Sequence, residues 1–409
     1  MIDAFDAGLI SVAVTMVLVL MGVRIGYASG VVGLLGLSYL RGWEAGSGLA
    51  GALAYSEVSH YSLSVLPMFI LIGYLAYFAG LTQGAFAAAR AWFGWLPGGL
   101  AVATVFATAG FAAVSGASTA TAAVFSRVAI PEMLKYGYQP RMAAAVVAAG
   151  GTLASLIPPS AILVIYAIIV EQSVGALLLA GFIPGAISAV VYASVIIFRC
   201  KIWPDLGRPI LGTTWPERFK ATPGALPIVF VIAIILGGIY SGWITPTETG
   251  AAGAAVIFIM ALMRKLRTGE GMTRDDLSEA MMETAKITVM IFTIIWGVLI
   301  YVRFLGFTGL PGHFAEWIAG LEMHRMIIFV MILGVYIILG MFMDGIGMLL
   351  LTLPVVYPAI IALDFNPIWF GIILVKMIEV GLVTPPIGLN CFVVHGVRPD
   401  IPLSEVFKG

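Results

Sequence analysis

The sequence predicts an all-α integral membrane protein: a multi-span bundle of two inverted-topology repeats, each with a re-entrant helical hairpin and a broken helix. Three observations predict it. The 409 residues are 61% hydrophobic and only 10% charged, against ~25% charged in soluble proteins. Two apolar stretches are each interrupted by a double proline, Pro158-Pro159 in GGTLASLIPPS and Pro385-Pro386 in GLVTPPIGLN, and the interruptions lie 227 residues apart. Each follows a polar, glycine-bearing tip at nearly the same distance: Gly116 is 42 residues before Pro158, and Asp344 is 41 before Pro385.

A proline supplies no backbone N–H, and its ring clashes with the carbonyl one turn back. A helix must therefore open at each Pro-Pro. In lipid the freed carbonyls need partners, so broken backbone survives only inside protein or around a cavity. Interrupted helices at matching places in two halves are the sequence pointer to a secondary-transporter site.

Composition excludes much else. Net charge is zero, which gives no footprint for nucleic acid. Cys200 and Cys391 lack disulfide or metal spacing, and His60, His313, His324 and His395 are dispersed. No nucleophile–base set or phosphate loop is present, so an enzyme or an ATP-driven pump is disfavoured. Asp3 and Asp6 stand where a cleavable signal peptide would be basic.

In chain order, residues 1–64 read as N-terminal scaffold spans, with short apolar segments at 9–22 and 26–40 and a mixed, glycine-rich interfacial stretch to 61. Residues 65–200 form the first repeat: a span at 65–81, an interfacial segment at 83–97, the hairpin 98–130 and the broken helix 142–170. Each limb of 98–130 is shorter than the ~20 residues a span needs, which makes a hairpin the economical reading. A cytoplasmic loop at 201–225 follows, then scaffold spans and a second polar loop over 226–283. The second repeat covers 284–396, with a short amphipathic arm at 310–319, the hairpin 326–362 and the broken helix 370–394. A short tail, 397–409, ends the chain.

The two long loops are separated by two spans and share a side. Both are basic, as are Arg24, Arg90, Arg127, Lys135, Arg141 and Arg398 on the same side by parity. Positive-inside makes that side cytoplasmic and the N-terminus periplasmic. The hairpins then enter from opposite faces, as inverted repeats require.

Two cation sites are expected, each pairing a hairpin tip with the following break. The first draws on Ser115, Gly116, Ser118, Thr119, Gly151, Thr152 and Pro158; the second on Gly340, Asp344, Gly345, Gly381, Thr384 and Pro385. Carbonyls and hydroxyls suit a hard cation such as Na⁺, and helix N-termini suit an anion. Substrate contact is expected from Ser118, Thr119, Asp344, Gly345 and Asn390. The competing reading of a Ser/Thr cluster is helix packing, and of a Pro-Pro a mere kink. Asp344 could cap the helix after it, and Glu379 is expected to pair with Lys376 at i−3.

SGASTATAAVFSRVAIPEMLKYGY (115–138), GGTLASLIPPS (150–160), TPTETG (245–250), GMFMDG (340–345) and GLVTPPIGLN (381–390) together resemble the large membrane subunit of tripartite ATP-independent periplasmic (TRAP) transporters, over nearly the whole chain. The resemblance implies an elevator-type, Na⁺-driven secondary transporter of the ion transporter superfamily in the bacterial inner membrane, with no cofactor beyond the coupling ion. It also implies a small four-helix membrane subunit, a periplasmic substrate-binding protein and an organic acid carrying a carboxylate. Two departures stand out: Ala154 where the family usually has glycine, and an end at 406–409 where it usually continues into a last span. The alternatives are a stand-alone Na⁺/dicarboxylate-type carrier and an inactive or truncated membrane scaffold subunit.

Overall fold

The computed structural model describes residues 3–268 and 271–409 and contains helices and no strand among them. The helices are α1 (Ala4–Leu20), α2 (Ile25–Arg41), α3 (Trp43–Val58), α4 (Val65–Phe78), α5 (Leu81–Phe93), α6 (Gly99–Ser115) and α7 (Ser118–Lys135). Next come α8 (Pro140–Thr152), α9 (Ala161–Ile169), α10 (Val174–Ile202), α11 (Trp215–Ala221), α12 (Leu226–Ser241), α13 (Pro246–Thr268) and α14 (Arg274–Thr308). The remainder are α15 (Leu310–Ala319), α16 (Arg325–Gly340), α17 (Gly345–Ala362), α18 (Pro367–Gly381), α19 (Leu389–Val397) and α20 (Leu403–Lys408).

Among the described residues four helices, α10, α13, α14 and α17, are long and apolar enough to cross a membrane alone. The pairs α4–α5 and α11–α12 also qualify together, bent by 69° and 51°. Large apolar side chains coat the outside: on α10, Ile183, Ile187, Val191, Val195 and Phe198 are exposed. Its opposite face carries Gly181, Gly185 and Ser188. Bulky residues toward lipid and small ones toward protein is the membrane form of amphipathicity, because close helix approach needs small side chains.

Glycine sets two packing relationships. A Cβ on Gly26 would lie 2.8 Å from Ile294 Cα, one on Gly33 2.7 Å from Tyr301 Cα, and one on Gly297 only 1.9 Å from Gly26 O. So α2 and α14 run parallel in backbone contact. On α10, a Cβ at Gly181 would meet Leu156 O at 2.6 Å and one at Gly185 would meet Ile157 at 2.6 Å. The same face, one and two turns on, meets α18. Lys376 Nζ donates to Ser188 Oγ at 2.8 Å and to Glu379 Oε2 at 2.6 Å, and lies 5.4 Å from the Tyr192 ring centroid. Lys376 and Glu379 are thus paired as their i, i+3 spacing anticipates. Glu379 is buried, and its Oε1 has no partner among the described residues.

Several boundaries differ from the sequence reading. Helix α7 runs through Pro131 to Lys135 rather than ending at 130. The stretch expected as a second polar loop is mostly helical: α13 reaches Thr268 and α14 starts at Arg274, behind a Thr273–Asp276 capping box. The cap satisfies the first free N–H groups. It starts a 35-residue helix, at 1.5 Å per residue about 52 Å long and longer than the hydrocarbon core. The boundary drawn at 283/284 therefore falls inside a helix; Gly269 and Glu270 of that loop lie outside the described residues. The glycine-rich stretch after Arg41 is the helix α3.

Gly297→Val is expected to lower the unfolding temperature in detergent, because overpacking a tight interface costs about 1–3 kcal/mol; Gly237→Val, where a Cβ meets nothing within 4 Å, should leave it unchanged. Lys376→Met leaves the buried Glu379 carboxylate alone, a loss of about 3–5 kcal/mol. Adding Glu379→Leu should restore most of it; thermal midpoints that fall equally in single and double variants would refute a paired role.

Candidate functional site

The first break begins where α8 ends at Thr152 and a single 3₁₀ turn, Leu153–Ser155, leads into Pro158-Pro159. Its peptide bond is cis, as is that of Pro385-Pro386. All residues from Gly151 to Ser160 are buried, Ala154 included. The backbone groups freed here find partners: one carbonyl meets a side chain, and one N–H meets a neighbouring tip. Ser160 Oγ donates to Ser155 O and accepts from Leu163 N at 3.3 Å, capping α9. Ala161 N donates to Gly116 O at 3.3 Å.

Gly116 joins α6 to α7 with φ +63°, in the left-handed region glycine favours. A Cβ there would lie 2.4 Å from Pro159 O, so only glycine lets the tip reach the break. Gly151 sits against the start of α7, where a Cβ would be 3.1 Å from Ser118 O. Ser115 Oγ and Thr121 Oγ1 are 2.8 Å apart and tie the two limbs of the tip. Thr152 Oγ1 donates to Ala149 O at 2.7 Å and lies 3.3 Å from Tyr192 OH.

The second break repeats this construction. Thr384 Oγ1 donates to Val380 O at 2.6 Å. Ile387 N donates to Met341 O at 3.2 Å, so this break is also sewn to the tip of the preceding helix pair. Gly381 and Gly340 touch backbone to backbone: a Cβ on Gly381 would be 2.6 Å from Gly340 Cα. Asp344 is the N-cap of α17, its Oδ2 accepting from Gly347 N at 2.9 Å. The breaks differ in access: Pro385, Pro386 and Ile387 are exposed, whereas Pro158 and Pro159 are buried.

Both tips face one cavity of about 600 Å³, lined on that side by Ser115, Gly116, Ser118, Thr119, Asp344 and Gly345. A smaller cavity of about 230 Å³ shares Ser115, Ala117 and Ala120 with it and extends to Arg127, Glu279 and Glu283. The substrate set proposed from sequence is therefore gathered at the cavity with one exception. Asn390 is buried at the start of α19; its Nδ2 donates to Ala148 O at 3.1 Å and joins α19 to α8. Gly151, Thr152, Pro158, Gly340, Gly381, Thr384 and Pro385 stand behind the tips rather than on the cavity wall.

Sequence reasoning missed the opposite wall. Arg24, from the start of α2, and Lys286, from α14, line the same cavity. From the sequence Arg24 is only a marker of membrane sidedness, and Lys286 has no assigned role. Their position depends on the α2–α14 register, which no local pattern announces.

The family model for the DctM component of the tripartite ATP-independent periplasmic transporters matches residues 12–409. The chain is 35% identical over 358 residues to a C4-dicarboxylate TRAP transporter large permease protein of Pseudomonas aeruginosa, covering 87% of this chain and 81% of the relative. It is 29% identical over 366 residues to the sialic acid TRAP transporter large permease protein of Vibrio cholerae, covering 90% and 84%. To the ectoine TRAP transporter large permease protein of Halomonas elongata it is 31% identical over 356 residues, covering 85% and 80%. Among solved structures, the YdaH transporter of Alcanivorax borkumensis superposes with a TM-score of 0.51 at 14% identity, over 85% of this chain and 80% of that one, a likeness of fold. With helices that cross the membrane several times and a family match over nearly its whole length, this chain belongs to the large permease components of the TRAP transporters, multi-pass proteins of the inner membrane.

Proposed function

We propose that this chain takes up an organic acid by Na⁺ symport, on an elevator mechanism, with substrate delivered by a periplasmic binding protein and a small four-helix membrane subunit as partner. The observation that carries the reading is the single cavity walled by both helix tips, each tip bonded to its own proline break. Substrates named for the relatives include a C4-dicarboxylate, sialic acid and ectoine, all of which carry a carboxylate.

Two Na⁺ would sit behind the tips. The first would take oxygens from Ser115, Gly116, Ser118, Gly151, Thr152 and Pro158; the second from Gly340, Gly381, Thr384 and Pro385. The threonine hydroxyls suit this role because each donates its proton to a carbonyl of its own helix. An oxygen that has donated still has lone pairs for a cation. Ser118, Thr119, Asp344 and Gly345 would face the substrate. The N-terminus is assigned to the periplasm by the excess of basic residues on the other side. The two hairpins, α6–α7 and α16–α17, and the two broken helices, α8–α9 and α18–α19, would move as one body against the remaining helices. Each net positive charge carried inward gains ~2.3 kcal/mol per 100 mV, so extra Na⁺ drives uptake without ATP.

The test is uptake of labelled succinate, N-acetylneuraminate and ectoine into proteoliposomes holding this chain and its small subunit. Accumulation should require both an inward Na⁺ gradient and the cognate binding protein. Uptake with Na⁺ alone would make the protein a stand-alone carrier, and no flux under any condition would favour a scaffold role. Thr152→Ala and Thr384→Ala should each raise the Na⁺ concentration for half-maximal uptake several-fold, with the serine variants close to wild type. Unchanged Na⁺ activation in both alanine variants would sink the assignment of the two sites.

A further inference from the structure

The cavity wall facing the tips is held by backbone packing. Gly26 lies against Ile294 and Gly33 against Tyr301, an offset of 268 in each case (294 − 26 and 301 − 33). The same offset sets Arg24 level with residue 292 of α14. Lys286 is six residues earlier, about 9 Å back along the axis at 1.5 Å per residue. Ile25 touches the first turn of α17, where a Cβ on Gly347 would be 2.7 Å from Ile25 Cγ2. Arg24 therefore stands beside the Asp344 tip.

The two cations are not equivalent. Lys286 Nζ is bonded to Glu283 Oε1 at 2.6 Å. Asp344 is committed to its own helix through Gly347 N. Arg24 is exposed and lines the cavity, and its guanidinium has no hydrogen bond, ion pair or ring contact among the described residues. Nor does its side chain serve the helix it precedes: Arg24 occupies the N-cap of α2, where its carbonyl accepts from Ala28 N at 3.1 Å but its guanidinium makes no capping bond, at the helix end where a positive charge is unfavourable. An unpaired guanidinium on a mostly apolar cavity wall has its planar fork free for a carboxylate, which it holds through two parallel N–H···O bonds.

We infer that Arg24 is the group that receives the substrate's carboxylate. The acid is then held at one end by the α2–α14 wall, with its hydroxyl or second polar group toward Ser118 and Thr119 of the tip. This rests on the organic-acid reading above and goes beyond it: it assigns the anion to a wall residue outside both cation sites. It predicts that an acid the protein binds loses affinity when its carboxylates are converted to amides.

The test needs no transport. The full chain is purified in detergent, and its thermal unfolding is followed against succinate, pyruvate and N-acetylneuraminate, with succinamide at matched ionic strength as control. At least one acid should stabilise the wild type and the diamide should not. For that acid, the apparent Kd should rise roughly tenfold or more in R24Q, the scale of a charged hydrogen-bond pair, with R24K in between. Stabilisation by Na⁺ without acid should be the same in all three, which also shows that the variants are folded. An equal acid response in R24Q and wild type overturns the inference, as does a wild type that ignores all three acids or answers succinamide equally. Failure of Na⁺- and binding-protein-dependent uptake would instead sink the transport reading and leave the acid-binding result standing.

Discussion

Two helices of this protein surrender their hydrogen-bond ladders in the middle of apolar segments, and the rest of the structure answers that loss. Lipid offers no substitute donors or acceptors. The replacements come from serine and threonine hydroxyls and from the tip of a neighbouring helix pair. Ala161 N reaches Gly116 O in the first half, and Ile387 N reaches Met341 O in the second. Tip and break are therefore bonded units. The close approach that makes this possible is glycine's: Gly116 on Pro159 O, and Gly381 on Gly340.

Helix α10 extends the same logic. Its small-residue face covers the first break at Gly181 and Gly185 and binds α18 through Ser188 and Tyr192. Tyr192 OH is 3.3 Å from Thr152 Oγ1 and its ring lies under Lys376, whose partner Glu379 is two residues before Gly381. A continuous chain of polar contacts thus runs from one break to the helix that leads into the other. Buried charge is costly in such surroundings unless paired; Glu379 finds its partner within α18, and Lys376 in turn joins α18 to Ser188 and Tyr192 of α10.

Much of this was legible in the residues. Proline chemistry marked both breaks, and the repeated spacing from a polar glycine tip marked their partners. Asp344 and the Ser118–Thr119 pair reach the cavity because a helix tip projects its first residues, a local property. What was not legible depends on long-range packing. Asn390 sits in the second motif, yet the turn before α19 directs its amide to Ala148 and away from the cavity. Arg24 reads only as a sidedness marker and Lys286 carries no signal of its own, because nothing near them in sequence reports that α2 and α14 lie in backbone contact. The extension of α13 and α14 into the polar loop was hidden for another reason. Polar residues there form capped helix instead of irregular chain, and hydropathy does not separate the two.

The twin motifs also end in unlike surroundings. From Gly151 to Ser160 every residue is buried, whereas Pro385 to Ile387 are exposed. The local bonds are nearly the same, with a threonine hydroxyl turned to its own helix and a backbone N–H shared with a tip in each. The difference lies in the neighbours, since the small-residue face of α10 closes over the first break. A cation proposed at the first break would be enclosed by buried residues. One proposed at the second would have exposed residues beside it. Equal ligand chemistry therefore does not impose equal access, and the two halves share a way of satisfying broken backbone more than they share an environment.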